Sequence, residues 1–221
     1  MKKSIIVLLA FMIPFVLFVG TITVLSQISF FYSCEFDKLG TIEEAGLNIS
    51  SEEISNMMVE YIKGERSDFQ IKAEVNGNEQ NVFNAKEQQH MEDVKGLIKK
   101  GNIIFAAGVI ILCLFYFRFI KKDKAVLWNM YKIAAVFYAV CAIALLLISK
   151  IDFYAGFNVF HEVLFTNDLW ILNPTEDILL MLMPLQFFID AFTLSMIIVT
   201  VCMLTLGVIT WKITRQRKMF S

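Results

Sequence analysis

The sequence predicts an α-helical integral membrane protein: four transmembrane helices, with a small extracytoplasmic α/β domain between spans 1 and 2 and an interfacial helical segment between spans 3 and 4. Three observations carry that prediction. Of the 221 residues, 57% are hydrophobic and only 19% are charged, whereas soluble domains run at roughly 45 to 50% apolar and about 25% charged. Residues 4–34, 101–117, 133–149 and 191–211 contain no Asp, Glu, Lys or Arg, and a helix of roughly 17 to 25 apolar residues crosses a bilayer. The basic residues between those runs are sorted by side. One set of segments holds Lys2, Lys3, Arg118, Lys121, Lys122, Lys124, Lys132, Lys212, Arg215, Arg217 and Lys218 with the single acid Asp123, while the other holds 9 basic and 20 acidic residues.

Cations flanking short loops stay in the cytoplasm, so both termini are expected inside. The element order follows: transmembrane helix 1 at 4–34, an extracytoplasmic domain at 35–100, helix 2 at 101–120, a cytoplasmic loop at 121–128, helix 3 at 129–149, an extracytoplasmic interfacial segment at 150–190, helix 4 at 191–211 and a cytoplasmic tail at 212–221. The first run is too long for one straight crossing, so a bend near Pro14 or Gly20 and a projecting end are expected. Its length also exceeds the apolar core of a signal peptide, which points to an uncleaved anchor.

Within 35–100, Ser50 to Glu53 supply helix-start chemistry. Ile54, Met57, Met58, Tyr61 and Ile62 then recur at helical spacing before Gly64 stops the helix. Phe69, Ile71, Ala73 and Val75 alternate into Asn76-Gly77, with Val82 and Phe83 beyond, which predicts a two-stranded hairpin. Asn84 and Glu87 form a capping box for a second helix through His90, Val94 and Leu97 toward span 2. In 150–190, Phe157, Phe160, His161, Leu164 and Phe165 fall on one stripe, expected to lie in the headgroup plane. Asn167-Asp168 reads as a turn, Asn173-Pro174 with Glu176 and Asp177 as a helix start, and Pro184 as the restart before span 4.

Net charge is −1, which removes the basic surface that nucleic acid requires. There is no Walker loop and no nucleotide site, no serine nucleophile elbow, and Cys34, Cys113, Cys141 and Cys202 show no metal or redox spacing. His161-Glu162 begins like a zinc motif, but Phe165 stands where its second histidine belongs, so neither metal nor cofactor is expected. Acidic Glu35 and Asp37 beside Cys34 disfavour a thiolate there. What remains for proton transfer is His90 and His161, the only two histidines, whose intrinsic pKa of about 6.5 suits it. A single histidine on an apolar stripe is more often a hydrogen-bonded packing residue than a catalyst, and each of the two fits that role. Asp93, three residues after His90, suits either an ordinary solvated acid or a group that orients a ring. Asn167, Asp168 and Asn173 suit either substrate contacts or turn caps, and Trp170 suits an interface anchor.

The string His90-Met91-Glu92-Asp93-Val94-Lys95, together with Phe160 to Trp170, Asn173-Pro174 and Pro184, resembles the lipoprotein intramolecular transacylase family, Lit. The resemblance extends over the four-span layout. It implies a bacterial plasma-membrane acyltransferase. Its reaction would move the sn-2 acyl chain of a diacylglyceryl-cysteine lipoprotein onto that cysteine's α-amino group, with His90 and His161 as the catalytic pair at the extracytoplasmic face. Expected partners are the diacylglyceryl lipoprotein and membrane lipids. One histidine would take the amine proton, His161 being favoured, and the other would protonate the departing glyceryl oxygen. On a straight helix His90 stands about 16 Å above Gly101, so tilt, a bend at Gly96 or Gly101, or a raised site is expected. Two readings compete: a non-catalytic membrane transport or assembly factor, which calls for ionisable residues within the spans, and an N-acyltransferase drawing on phospholipid, which calls for an activated cysteine.

Overall fold

The structure is a computed structural model that describes residues 3–75, 77–120 and 124–215. Lys2, Asn76, Lys121, Lys122, Asp123, Arg217 and Lys218 of the sequence reading lie outside the described residues. The elements in order are α1 (Lys3–Leu25), α2 (Ser29–Leu39), α3 (Thr41–Glu44), β1 (Leu47–Asn48), α4 (Ser51–Lys63), β2 (Lys72–Val75), β3 (Asn78–Asn81), α5 (Ala85–Phe115), a π-helical turn (Tyr116–Ile120), α6 (Lys124–Leu164), α7 (Ile178–Leu182) and α8 (Leu185–Arg215). Four of these helices, α1, α5, α6 and α8, are long and apolar enough to cross a membrane. The chain divides into two compact units.

The first unit comprises described residues of 3–22, 101–151 and 193–215. Its core is Leu9 and Ala10 of α1, Met130 and Ala134 of α6, and Val199 and Met203 of α8. Small residues allow the helices to approach. A Cβ at Gly20 would overlap the Phe105 ring, one at Gly108 would overlap Val16, and one at Gly207 would overlap the Tyr131 hydroxyl. In lipid, where tails are as apolar as leucine, such close backbone contact and interhelical hydrogen bonds supply the association energy. Tyr138 Oη, 2.6 Å from Thr200 Oγ1, is one of those bonds. The outward faces stay apolar, with Leu8, Leu114, Val136 and Leu204 all exposed.

The uncharged run at 4–34 divides into two helices. α1 continues through Pro14 and Gly20 and ends at Leu25. Turn bonds from Gln27 N to Val24 O and Ile28 N to Leu25 O then redirect the chain into α2. The expected break therefore falls at residues 26–28, and the projecting end is an independent helix carrying Phe31, Tyr32 and Phe36.

The second unit comprises Thr23–Lys100 and Asp152–Phe192. Phe31, Tyr32 and Phe36 of α2 surround Phe187 at centroid distances of 5.4, 5.5 and 6.0 Å. α4 starts as read: Ser50 Oγ accepts from Glu53 N, and Gly64 closes the helix at φ 83°, a left-handed conformation that glycine adopts without a Cβ clash. Its apolar stripe is buried at Ile54, Met58, Tyr61 and Ile62. The sheet has three antiparallel strands in the order β1-β2-β3 rather than two. β1 is only two residues long and pairs Leu47 with Val75 and Asn48 with Glu74. Too short for any periodicity, it left no signal of its own.

α5 is one helix from Ala85 to Phe115, passing Gly96 and Gly101 without a break. α6 is not continuous in the same sense. Asp152 is extended (φ −160°, ψ 89°) and separates residues 124–151 from 153–164, while its Oδ1 accepts from Ala155 N at 2.9 Å. An acid followed by three residues of free N–H is N-cap chemistry, so Asp152 ends one helix and starts the next. The segment 153–164 turns His161 inward and leaves Val159, Phe160 and Val163 exposed. The helix expected at Asn173-Pro174 is instead a turn, closed by Asp177 N and Glu176 N donating to Asn173 O. α7 begins five residues after Asn173, and α8 begins directly after Pro184.

Candidate active site

His90 and His161 come together within the second unit. Their ring centroids lie 6.2 Å apart at an interplanar angle of 36°. The capping box that starts α5 positions the first: Asn84 Oδ1 accepts from Glu87 N at 3.0 Å, and Glu87 Oε2 accepts from Asn84 N at 2.6 Å. His90 follows Glu87 by about one turn. The Asp152 cap positions the second, since it sets the start of the helix on which His161 is the inward residue. Both rings are only 7% exposed.

The surrounding wall is aromatic. Phe165 meets His90 edge-on at 5.2 Å and stacks on His161 at 5.6 Å. Trp170 stacks on His161 at 5.0 Å, and Phe157 lies against the same ring at 4.2 Å. His161 Nδ1 sits 2.7 Å from Phe157 O. A carbonyl only accepts, so this contact assigns the hydrogen to Nδ1 and leaves the lone pair on Nε2. His90 Nδ1 is buried with no hydrogen-bond partner among the described residues.

Both imidazoles lie outside the uncharged membrane-spanning runs, and both are held neutral. Burial pulls His90 down to about 4, helped by the repulsion its cation would meet from a protonated His161 and from Lys86, and opposed by Asp93. Burial also lowers His161, against the raising effect of the Phe157 carbonyl bond. Desolvation penalises the imidazolium, so the neutral, proton-accepting ring is the resting form at pH 7.

The other residues singled out in the sequence divide into two groups. Asn167 Nδ2 donates to Asp93 Oδ2 at 2.9 Å, tying the loop after α6 to the helix of His90; Trp170 belongs to the site by its stacking. Asp168 is exposed, and its carbonyl accepts from Ile171 N within its own turn. Asn173 caps a turn, its Oδ1 accepting from Thr175 N and Thr175 Oγ1. In the sequence Phe157 and Phe165 stand out only as part of an apolar stripe, and nothing there marks Lys86, whose Nζ donates to Ile171 O. Glu87 was read as a cap alone, yet its second oxygen accepts from Leu179 N at 2.6 Å. Only the fold brings Leu179 there. Among the described residues no three His, Cys, Asp or Glu side chains form a metal-binding group.

The sequence model of the family described as lipoprotein intramolecular transacylase Lit matches residues 7–188. The fold is similar to that of the membrane-integral lipoprotein intramolecular transacylase Lit from Bacillus cereus. The TM-score is 0.76 at 20% identity, covering 99% of this chain and 98% of that one. Structures of the same protein carrying a histidine-to-arginine or a histidine-to-alanine substitution are also similar. Their TM-scores are 0.70 and 0.69 at 19% and 20% identity, covering 99% and 98% of this chain and 94% and 95% of theirs. No curated protein matches. With the family model spanning most of its length, and the four-helix fold in agreement, the chain belongs to the lipoprotein intramolecular transacylase family, Lit, a family of membrane-integral acyltransferases.

Proposed function

We propose that the protein moves the sn-2 acyl chain of an S-diacylglyceryl-cysteine to the α-amino group of the same cysteine, giving a lyso-form lipoprotein, with His90 and His161 as the catalytic pair. The observation that carries this reading is the pairing of two buried neutral imidazoles from separate elements, 6.2 Å apart, one with its tautomer set by a carbonyl. From rings so spaced, hydrogen bonds of about 2.6 to 3.2 Å reach the attacking amine and the carbonyl oxygen of one ester from two sides.

The reaction needs position and protons. Holding amine and ester of one molecule in attack geometry lowers the barrier by several kcal/mol, up to about 7 to 11. The α-amine, with an intrinsic pKa of about 7.7 to 8.0, attacks the ester carbonyl while His161 Nε2 takes its proton. His90, held at about 4, carries no spare proton at neutrality. Its ring N–H stabilises the developing negative charge as a hydrogen-bond donor. His161 returns the proton to the glyceryl oxygen as the ester C–O bond breaks. One amide forms, one ester is lost, and both rings end neutral. His161 thus performs both transfers that the sequence reading divided between two rings. Phe157, Phe165 and Trp170 keep water from the ester, and the Asp93–Asn167 bond orients the wall beside His90.

The charge asymmetry of the loops supports a plasma-membrane topology with both termini cytoplasmic and residues 35–100 and 150–190 outside, which puts the histidines on the face where diacylglyceryl lipoproteins and membrane lipids meet them. The test is mass spectrometry of a lipoprotein N-terminus from bacterial cells in which this chain is the sole N-acylating enzyme. An N-acylated, S-monoacylglyceryl cysteine is expected. An unchanged diacyl product, or the lyso form persisting in the His90→Ala/His161→Ala variant, rejects the reading.

A further inference from the structure

Glu87 is 1% exposed, the deepest ionisable side chain of its unit, and no step of the transfer uses it. Its two oxygens serve two helices. Oε2 accepts from Asn84 N, completing the box that starts α5, and Oε1 accepts from Leu179 N in the first turn of α7, each at 2.6 Å. Asp177, 6% exposed, repeats the arrangement: Oδ1 accepts from Asn84 Nδ2 and Oδ2 from Asn173 N, again at 2.6 Å. Neither carboxylate has a salt-bridge partner among the described residues. Two anions are therefore buried side by side and held by N–H donors alone.

What they hold is the segment that walls the site. Residues 84–93 of the chain grip residues 167–179 at four points: Asp93 to Asn167, Lys86 to Ile171 O, Asn84 to Asp177, and Glu87 to Leu179 N. Trp170, stacked on His161, lies inside the gripped segment, and His90 lies inside the gripping one. Trp170 thus joins the gripped segment to His161, while the four bonds join that segment to the helix of His90.

We propose that Glu87 is a positioning residue for the transacylation: by accepting from Asn84 N and Leu179 N at once, it fixes α7 against the first turn of α5 and, through the Trp170 segment, sets the separation of His161 from His90. This rests on the two histidines being the catalytic pair. Stability alone is a poor reason for the residue. Burial raises the Glu87 pKa, the nearby Asp177 charge adds to this, and the two backbone bonds offset it only in part. An uncharged amide of the same shape is cheaper to bury. It would, however, present an –NH2 to one of the two N–H groups and lose that bond.

The test compares Glu87→Gln with the wild-type chain in detergent or bilayer, reading conversion of a diacylglyceryl lipopeptide to its lyso form together with thermal unfolding. Glu87→Gln is expected to lower kcat by about tenfold to a hundredfold, the range that small misplacements of reacting groups produce, with KM unchanged and melting temperature unchanged or higher. Glu87→Asp keeps the charge and the α5 box but falls one methylene short of Leu179, so it should lose kcat in the same way. Wild-type kcat in either variant overturns the proposal. So does a glutamine variant that fails to fold or that loses melting temperature and activity together, because that assigns Glu87 to stability. A wild-type chain yielding no lyso product instead rejects the catalytic reading itself.

Discussion

The two compact units bury different kinds of matter. In the unit containing Leu9, Met130 and Val199, the buried set is apolar or small, and buried Thr210 Oγ1 returns its hydrogen bond to Leu206 O one turn back in its own helix. In the unit containing the histidines, Glu87, Asp177, His90 and His161 are all less than a tenth exposed. Glu87, Asp177 and His161 take partners from the backbone, and for Glu87 one of these lies 92 residues away. A helix bundle in lipid asks only that shapes fit, whereas polar groups buried away from water call for hydrogen-bond partners. The first unit should therefore respond to substitution through volume and the second through lost partners.

The largest expected effect lies in the second unit. His161→Ala removes the only nitrogen with an assigned free lone pair and should cost about 10² to 10⁴ in kcat. His90→Ala, which removes a donor from a ring held neutral, should cost about 10² to 10³; single-turnover conversion of the diacyl substrate ranks the two. Equal losses would instead support a proton passed between the rings.

Next in size is a volume change in the first unit. Gly108→Val drives a side chain into Val16 and should destabilise by about 1 to 3 kcal/mol, the usual cost of overpacking. The protein that remains folded should keep its kcat. A loss of kcat at unchanged melting temperature would erase the contrast between the units.

A smaller signature is pH dependence of stability. Both histidine pKa values are lowered on folding, His90 to about 4. The unfolded chain therefore binds more protons below about 6.5. The stabilisation is fully present above that pH and is lost progressively as pH falls from about 6.5 through about 4. His90→Phe should flatten part of that decline in melting temperature, and no equivalent change is expected from Gly108→Val. The smallest effect belongs to Asn167→Ala. It deletes the hydrogen bond to Asp93 and the Oδ1 acceptor of Leu169 N, both at an exposed position, a loss of about 1 kcal/mol, or roughly fivefold in kcat, at unchanged fold.

Periodicity and charge were enough to locate the four long helices, the buried stripe of α4 and its Ser50 and Gly64 ends, and the capping box of α5, because each depends on residues at most a few positions apart. The same local rules misplaced the helix start at Asn173, where Thr175 and Asp177 satisfy the asparagine as a turn, and gave no hint of the two-residue β1. A run without charges likewise could not reveal that it holds two helices, since α1 and α2 are apolar on both sides of residues 26–28.

What the amino-acid sequence determined on its own was therefore the helical membrane architecture, the sorting of charges between alternate segments and the two histidines as candidate proton carriers. Hydrophobicity, charge and intrinsic pKa belong to residues wherever they lie. The folded chain alone decided that those rings stand 6.2 Å apart, that Phe157 sets the tautomer of His161, and that Glu87 reaches Leu179. Burial and hydrogen bonding arise between segments tens of residues apart, and desolvation, which sets the protonation of both imidazoles, exists only once those segments have closed around them.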